Sequence, residues 1–554
     1  MSQDKLFVIG IGGTGMRCLE SFVHMCAMGM FDNKEINILT LDTDQENGNL
    51  KRVWDLIDLY NRIKNPTGNE VDAGGKPSSN TFFSAKLNLS KYWPTYSGGV
   101  NYQSLSNVSI KSDDTKENID LASLFLDEAA QSFDLAHGYR AQTHLGSQLM
   151  YHSIIDAAKN VKSKGDGALS QERELLKYIE DLVKLKSQAR VFIFGSIFGG
   201  TGASSIPVIP TAFNDAYNLF KGLPLETKST EAKFGASLLT EYFKFKSPTD
   251  AQKKEKKNAI VADSGYFTLN SQAALQFYQN DPTVKSTYKC LYNVGWPVGD
   301  VADFSKDKNE SETITGGAAQ KNPCHVTELL CAFATHDFFN REQFEVKEAD
   351  YLFRTVHHEN GSFNFDFQDF AGDSKQFKNA LAGLYSIALL TLVYQKGADN
   401  IEGITGWIDR MGWLEDYSYK DKIDLQSKKD ITDYFKTFLF QKDGSNVKDG
   451  WLYQIKNSFN GHFLLPPNAF AKNWPSISTI NAGELLPDDN SKWALEKRMA
   501  GMGTKKLNDA DLTDKFITEM KTITVDPEQY PTGSAKEQLI AHLFKTITSL
   551  QNVN

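Results

Sequence analysis

The sequence predicts an α/β fold built on a doubly wound, mostly parallel sheet, and three stretches carry that prediction. Residues 191 to 205, VFIFGSIFGGTGASS, are an apolar run that stops at Gly199-Gly200-Thr201-Gly202 and passes into small residues. Residues 5 to 10, KLFVIG, run in the same way into Gly10-Ile11-Gly12-Gly13-Thr14-Gly15. Residues 36 to 41, INILTL, form a third apolar run that ends in Asp42-Thr43-Asp44. A short apolar run followed by glycines and then helical spacing reads as buried strand, tight loop and helix.

The glycines matter chemically. Without side chains, the backbone N–H groups of the loop and of the helix start can converge on an anion such as a phosphate. A glycine turn that only lets strand and helix pack closely is the alternative reading of either loop taken alone. After the first loop, Met16, Leu19, Val23, Cys26 and Met30 mark the buried stripe of an amphipathic helix. Asp42 and Asp44 then fall at the carboxyl end of a parallel strand, where open α/β sheets bind ligands. GIGGTG also satisfies the dinucleotide fingerprint, although Asp42 lies 27 residues after Gly15 rather than the usual ~20.

Residues 61 to 118 are rich in Asn, Ser, Gly, Lys and Thr, and read as a surface insertion with little regular structure, a place for partner contacts. Helical spacing returns over 119 to 135, and a polar break at 137 to 142 carries Arg140. Arg140 is either a cation for a terminal phosphate or a loop arginine paired with a surface acid. A polar helix and linker, 164 to 189, lead to the second loop, after which a helix is expected from about Ser205 despite Pro207 and Pro210. Pro210 fits only if that helix begins late or kinks.

Further strands are expected over Phe234 to Leu239 and over residues 290 to 296, and the KKEKK stretch within 246 to 257 reads as a solvated helix face. Asn322-Pro323 opens a helix in which Val326, Leu329, Leu330, Phe333 and Phe338 share a face while Cys and Ala cover much of the rest, a buried central spine. Alternation from Tyr351 to Phe370 around Asn360-Gly361 predicts a hairpin. Helices are expected near 375 to 395, 403 to 416, 427 to 441 and 535 to 549, so the C-terminal region is α-rich.

Composition narrows the class. The 554 residues are 40% apolar and 23% charged, ordinary for a globular chain, and their number calls for two or more domains or one core with large insertions. A net charge of −9 lacks the basic excess of a general nucleic-acid binder. Five cysteines without a CxxC pair suit reduced, buried thiols, and no apolar run reaches the ~18 residues of a membrane span. A soluble, cytoplasmic protein is expected.

Two glycine-rich strand-loop-helix units roughly 190 residues apart exceed what one dinucleotide cofactor needs. Together they resemble the tubulin/FtsZ superfamily, and most nearly its divergent bacterial tubulin-like members. FIFGSIFGGTGASSIPVIPTAF is similar to the signature loop G-G-G-T-G-[ST]-G, with Phe198 in place of the first glycine and Ala203-Ser204 in place of the last pair. GIGGTG resembles the first phosphate loop, Asp42-Thr43-Asp44 the strand-end "NTD", AHGYRAQTHLG the third loop, and Asn322 the asparagine that reads the guanine edge.

The resemblance implies a site for GTP or GDP, with Mg²⁺ carried by the nucleotide. Its residues would be Gly12, Gly13, Thr14, Gly15, Asp42, Asp44, Arg140, Gly199, Gly200, Thr201, Gly202, Ala203 and Asn322. It divides the chain into a GTP-binding domain over 1 to 320, a central helix over 321 to 345, and a divergent second domain and C-terminal region over 346 to 554. It also implies a homo-oligomer or filament in which a neighbouring subunit supplies catalytic acids. Asn364-Phe365-Asp366-Phe367-Gln368-Asp369 matches the family's N-x-D-x-x-D, making Asp366 and Asp369 the candidates. The competing reading is a hairpin strand whose phenylalanines alternate with solvent-facing polar residues. A non-hydrolysing nucleotide-gated scaffold, with a protein partner at 61 to 118 or the C-terminal region, and an NAD-dependent enzyme are the alternatives.

Overall fold

Seven strands form one sheet in the order β3-β2-β1-β4-β5-β6-β7, every neighbouring pair parallel. The strands are β1 Lys5–Ile11, β2 Glu35–Leu41, β3 Lys86–Tyr92, β4 Ala189–Ser196, β5 Lys233–Leu239, β6 Tyr288–Val294 and β7 Asp350–Arg354. This computed structural model describes residues 5–31, 35–64, 81–94, 142–245, 263–296, 322–344, 422–443, 446–458, 518–525 and 535–552, with short pieces between them.

Alternate residues of each strand feed two cores. Leu6, Val8, Ile36, Ile38, Phe192 and Phe194 face one side of the sheet; Phe7, Ile9, Leu39, Leu41, Val191 and Ile193 face the other. Helices cover both faces, because strands apolar on both sides cannot be left against water. On the first face lie α1 Gly12–Ala27 and α2 Gly48–Lys64; on the second lie α3 Thr143–Lys164 and α4 Ser170–Lys184.

After β4 the chain makes one helical turn, α5 Thr201–Ser205, breaks, and starts again as α6 Ile209–Lys221 with Pro210 in its first turn. The single helix expected from Ser205 is therefore two, and the late start accommodates Pro210. The next long helix is α7 Phe267–Asn280. The spine is α8 Val326–Asn340, buried everywhere except at Asp337 and Asn340. His325 caps it, so Asn322 stands before the helix rather than opening it.

Two expectations change. The polar stretch 61 to 118 reads as having little regular structure, yet α2 runs to Lys64 and residues 86–92 pair with β2 as an edge strand. An edge strand needs only one apolar face, and Leu87 and Leu89 supply it between Lys, Asn and Ser. The helix after the first loop also buries more than its stripe: Arg17, Glu20, Ser21 and His24 are covered too. Arg17 and Glu20 are covered by α2 and the spine, through Arg52 and Glu328. Ser21 and His24 are covered by the C-terminal helices α9 Leu425–Leu439 and α10 Trp451–Asn457; a further helix, α11 Ala535–Asn552, joins the same apolar core. Trp451 donates to Ser21 Oγ at 3.0 Å, and His24 Nδ1 meets the Tyr434 hydroxyl at 2.9 Å.

The predicted hairpin is present, with His357–Glu359 antiparallel to Ser362–Asn364. Asn364 ends its second strand, whereas Asp366 and Asp369 lie outside the described residues, as do the KKEKK stretch and residues 403 to 416. All five cysteines are buried and unbridged. No helix among the described residues is long and apolar enough to cross a membrane.

Candidate functional site

The strand order reverses between β1 and β4, and in an open parallel sheet the crevice at that point receives ligands. Both glycine loops leave the sheet there, one from each strand. They meet: a methyl group placed on Gly12 would lie 3.3 Å from the Thr201 Cβ and 3.9 Å from the Gly202 nitrogen. Gly12 has φ +66°, a conformation that a side chain would resist. It is also the first residue of α1, whose N-cap, Ile11, makes no side-chain capping bond, so first-turn N–H groups face the crevice uncapped.

The glycines divide into two kinds. Gly15 and Gly202 serve packing, since a methyl on them would stand 2.6 Å from the Phe194 carbonyl oxygen and 2.5 Å from the Ser196 carbonyl oxygen respectively. Gly12 and Gly13 face the cleft, where a methyl on Gly13 would come 3.0 Å from Asn47 Nδ2 and 3.6 Å from Asn49 Nδ2. Gly138, with φ +86°, brings the third polar segment to the same place, 3.5 Å from Thr201 Oγ1 and 3.6 Å from Thr43 Oγ1 by the same measure. Arg140 lies outside the described residues.

The second loop is braced from below. Phe198 is 2% exposed, its ring packed among Tyr242, Phe243 and Phe267. An aromatic anchor thus holds the strand-side end of the loop. Asn270 donates to the Phe198 carbonyl at 3.2 Å, Tyr278 to that of Ala203 at 2.6 Å and Ser147 to that of Ser204 at 2.8 Å. Gly199-Gly200-Thr201 is left as the rim of the cleft, with Gly200 the N-cap of α5.

Asp42 and Asp44 are both buried at the end of β2. Asp42 accepts from the Asp44 N–H at 3.2 Å and from Asn47 Nδ2 at 3.4 Å. Burial pushes its carboxyl up to about 7, with the Asp44 charge adding to the rise and backbone N–H groups of Asp44 and Thr43 opposing it. Asn47 Nδ2 also donates to Gln320 Oε1 at 3.0 Å, and the Asn322 N–H to Asn49 Oδ1 at 3.2 Å. Gln320 and the segment 322–325 are thereby tied to the start of α2. The Arg52 guanidinium holds it from the other side, reaching the Asn322 carbonyl at 3.3 Å and Cys324 Sγ at 3.4 Å. With its backbone fixed at both ends, Asn322 keeps its carboxamide unengaged among the described residues.

A buried charge network stands behind this clamp. Arg17 donates to Glu328 Oε2 at 3.2 Å and to Glu20 Oε2 at 2.9 Å, Arg52 Nη2 donates to Glu20 Oε2 at 2.6 Å, and the Tyr242 hydroxyl donates to Glu328 Oε1 at 2.7 Å. Burial pushes Glu20 up to about 7 and Glu328 upward, while Arg17 pulls both down. Glu328 also closes the capping box of α8 by accepting from the His325 N–H at 3.0 Å. The network ties the helix after the first glycine loop to the spine and to the strap carrying Asn322.

Sequence reasoning missed Asn47, Asn49, Arg52 and Gln320. The Asn47-Gly48-Asn49 run directly after the strand-end acids is the one local signal that marks a helix start in the cleft. Two buried polar atoms there have no hydrogen-bond partner among the described residues: Thr43 Oγ1, in a residue 6% exposed, and Asn49 Nδ2, in one 2% exposed. Unmet donors aimed at a glycine-lined cleft suit a bound polar ligand. No cluster of three His, Cys, Asp or Glu residues suited to a metal occurs among the described residues.

Two glycine loops, uncapped helix N–H groups and a strand-end acid are thus gathered at the switch point of a parallel α/β sheet, the place at which open sheets of this kind receive ligands. Among solved structures, a GTPγS-bound protofilament of CetZ2 from Haloferax volcanii is similar over 60% of this chain and 58% of its own length, at 11% identity and a TM-score of 0.24. So slight an overlap carries nothing about this chain's ligand. No family model matches the chain, and neither does any curated protein.

Proposed function

We propose that this protein binds a guanine nucleotide, GTP or GDP, at the β1/β4 switch point. Its phosphates would rest over Gly12-Gly13-Thr14 and Gly199-Gly200-Thr201, and its base would lie against Asn322. The observation that carries the reading is the meeting of two remote glycine loops, with 3.3 Å between the Thr201 Cβ and a methyl on Gly12. That closeness narrows the crevice through which an extended dinucleotide would pass to the second half of the sheet, and favours a mononucleotide with clustered phosphates. Mg²⁺ would be held chiefly by those phosphates and by water, with Asp42 and Asp44 on the lip.

Self-assembly belongs to the same proposal, with slow or assembly-activated GTP hydrolysis in which Asp366 and Asp369 of one subunit position water for the next. The support is the sequence match over 364–369. The nucleotide retained by the purified protein, followed by calorimetric titration with GTP, GDP, ATP and NAD⁺, tests the binding half. Selective NAD⁺ binding with indifference to GTP sinks it. Sedimentation and phosphate release across a concentration series test the rest. GTP binding without either would leave a nucleotide-gated scaffold.

A further inference from the structure

The two faces of α7 differ in kind. Its inner face braces the second glycine loop, with Asn270 donating to the Phe198 carbonyl at 3.2 Å and Tyr278 to that of Ala203 at 2.6 Å, while Ser271 donates to Glu241 at 2.7 Å. Its outer face carries Tyr266, Leu269, Ala273 and Phe277 at steps of three, four and four residues, a single stripe of the helix. Tyr266 is 59% exposed, Leu269 60% and Phe277 53%, and Ala273 is exposed between them. Other well-exposed leucines, such as Leu169, Leu223 and Leu425, stand at helix ends or in loops, whereas these residues share one face.

Three features select a second copy of this chain as the occupant. The stripe is balanced about Ala273, with Leu269 four residues before it and Phe277 four after. Two such helices laid antiparallel across a two-fold axis at Ala273 set each Leu269 against the other copy's Phe277, and the small alanines let the backbones approach at the crossing. Self-pairing also brings like residues together at the axis, where a charge would meet its own copy. The 14 residues of α7 contain no Asp, Glu, Lys or Arg. The same lack of cations removes the means by which a surface helix holds an anionic membrane. Finally, the three large side chains leave on the order of 350 Å² in water, so a pair removes about 700 Å², short of the ~1,200 Å² at which standing interfaces begin. The contact is therefore weak between free copies and becomes durable where copies are already neighbours.

We propose that α7 is a two-fold docking surface on which a second copy of this chain pairs, antiparallel, through Tyr266, Leu269, Ala273 and Phe277. The inference goes beyond the nucleotide reading and does not depend on it. An isologous contact closes at two copies, so it joins molecules side by side and cannot by itself build the head-to-tail series in which one subunit completes the next.

The test is disulfide trapping on the full chain without added nucleotide, with copper phenanthroline and air as the oxidant. All five native cysteines are buried, so an introduced surface thiol is the exposed one. Ala273→Cys should form a covalent dimer at least about tenfold faster than Gln279→Cys, which is exposed on the same helix but off the stripe. Leu269→Cys and Phe277→Cys should each cross-link slowly alone and rapidly when mixed, because the antiparallel register joins 269 to 277. Leu269→Asp, at an exposed position, should leave the thermal midpoint unchanged while removing the rise of the sedimentation coefficient with concentration. Cross-linking of Ala273→Cys no faster than that of Gln279→Cys overturns the surface. Rapid cross-linking of Leu269→Cys and of Phe277→Cys each with itself, the mark of a parallel contact, overturns it as well. So does flotation with vesicles of phosphatidylcholine and phosphatidylserine that Leu269→Asp abolishes, without the Ala273→Cys dimer, since the stripe then belongs to a membrane. A chain that forms the Ala273→Cys dimer but binds no GTP sustains this surface and refutes the nucleotide reading alone.

Discussion

Replacing Arg17 with methionine probes the charge network that holds the strap before the spine helix. Arg17 is 1% exposed and binds Glu20 and Glu328, which are 4% and 0% exposed. Methionine approximates the length of the stem, so the main loss is the guanidinium. Glu328 then faces only the Tyr242 hydroxyl and the His325 N–H, and Glu20 keeps only Arg52. Breaking a buried pair by removing one partner costs about 3–5 kcal/mol, because the remaining charge is stranded in a low-dielectric interior. Adding Glu328→Gln removes that charge while its carboxamide oxygen still accepts from Tyr242, so the double variant should recover to within about 2 kcal/mol of the original. Urea unfolding followed by tryptophan fluorescence gives both differences, provided the slope with denaturant is unchanged. A loss below about 1 kcal/mol in the single variant, or a double variant no more stable than the single, would refute the network as described.

Gly200→Val should weaken GTP binding by more than about tenfold, since the residue sits on the cleft rim and side-chain bulk there displaces a phosphate from backbone N–H groups. Its φ of −78° is open to valine, so an unchanged melting midpoint with lost binding is the expected pair of results. Asp42→Asn should alter the pH dependence of stability. The folded-state value of about 7 lies above the ordinary 3.8, so the native protein holds this proton more tightly, and the stability it contributes falls as pH rises from 3.8 to about 7. The asparagine variant lacks that fall, and its advantage over the original should grow across the same window and then level off, as read from urea midpoints at pH 5 and pH 8. Asp366→Ala and Asp369→Ala should each abolish phosphate release while GTP affinity stays within a few-fold, as stopped-assay phosphate measurements would show; undiminished release removes both from catalysis.

The clearest parts of the molecule in the sequence were local ones. An apolar run that meets glycines is a pattern within a dozen residues, so β1, β4 and the loops Gly12-Gly13 and Gly199-Gly200 could be read directly, together with the acids ending β2. The spine was equally legible, because a helix with Leu and Phe on one side and Cys and Ala on the others has no face to offer water. Which strands are neighbours, and hence that both loops rise at one switch point, is a matter of sheet order that no local pattern records.

Tertiary structure alone decided the finer site. Asn47 and Gln320 meet across 273 residues and Arg17 and Glu328 across 311, contacts for which polar side chains on an otherwise amphipathic helix give no sign. Arg17 and Glu20 have the look of a solvated helix face until Arg52 of α2 and Glu328 of the spine meet them, and the edge strand 86–92 looks like loop until β2 supplies its hydrogen-bonding partner. Sequence determines local conformation through backbone freedom and the periodicity of apolar residues. Burial and charge pairing depend on which distant surfaces meet, so they determine what the phosphate loops face and which donors remain free for a ligand.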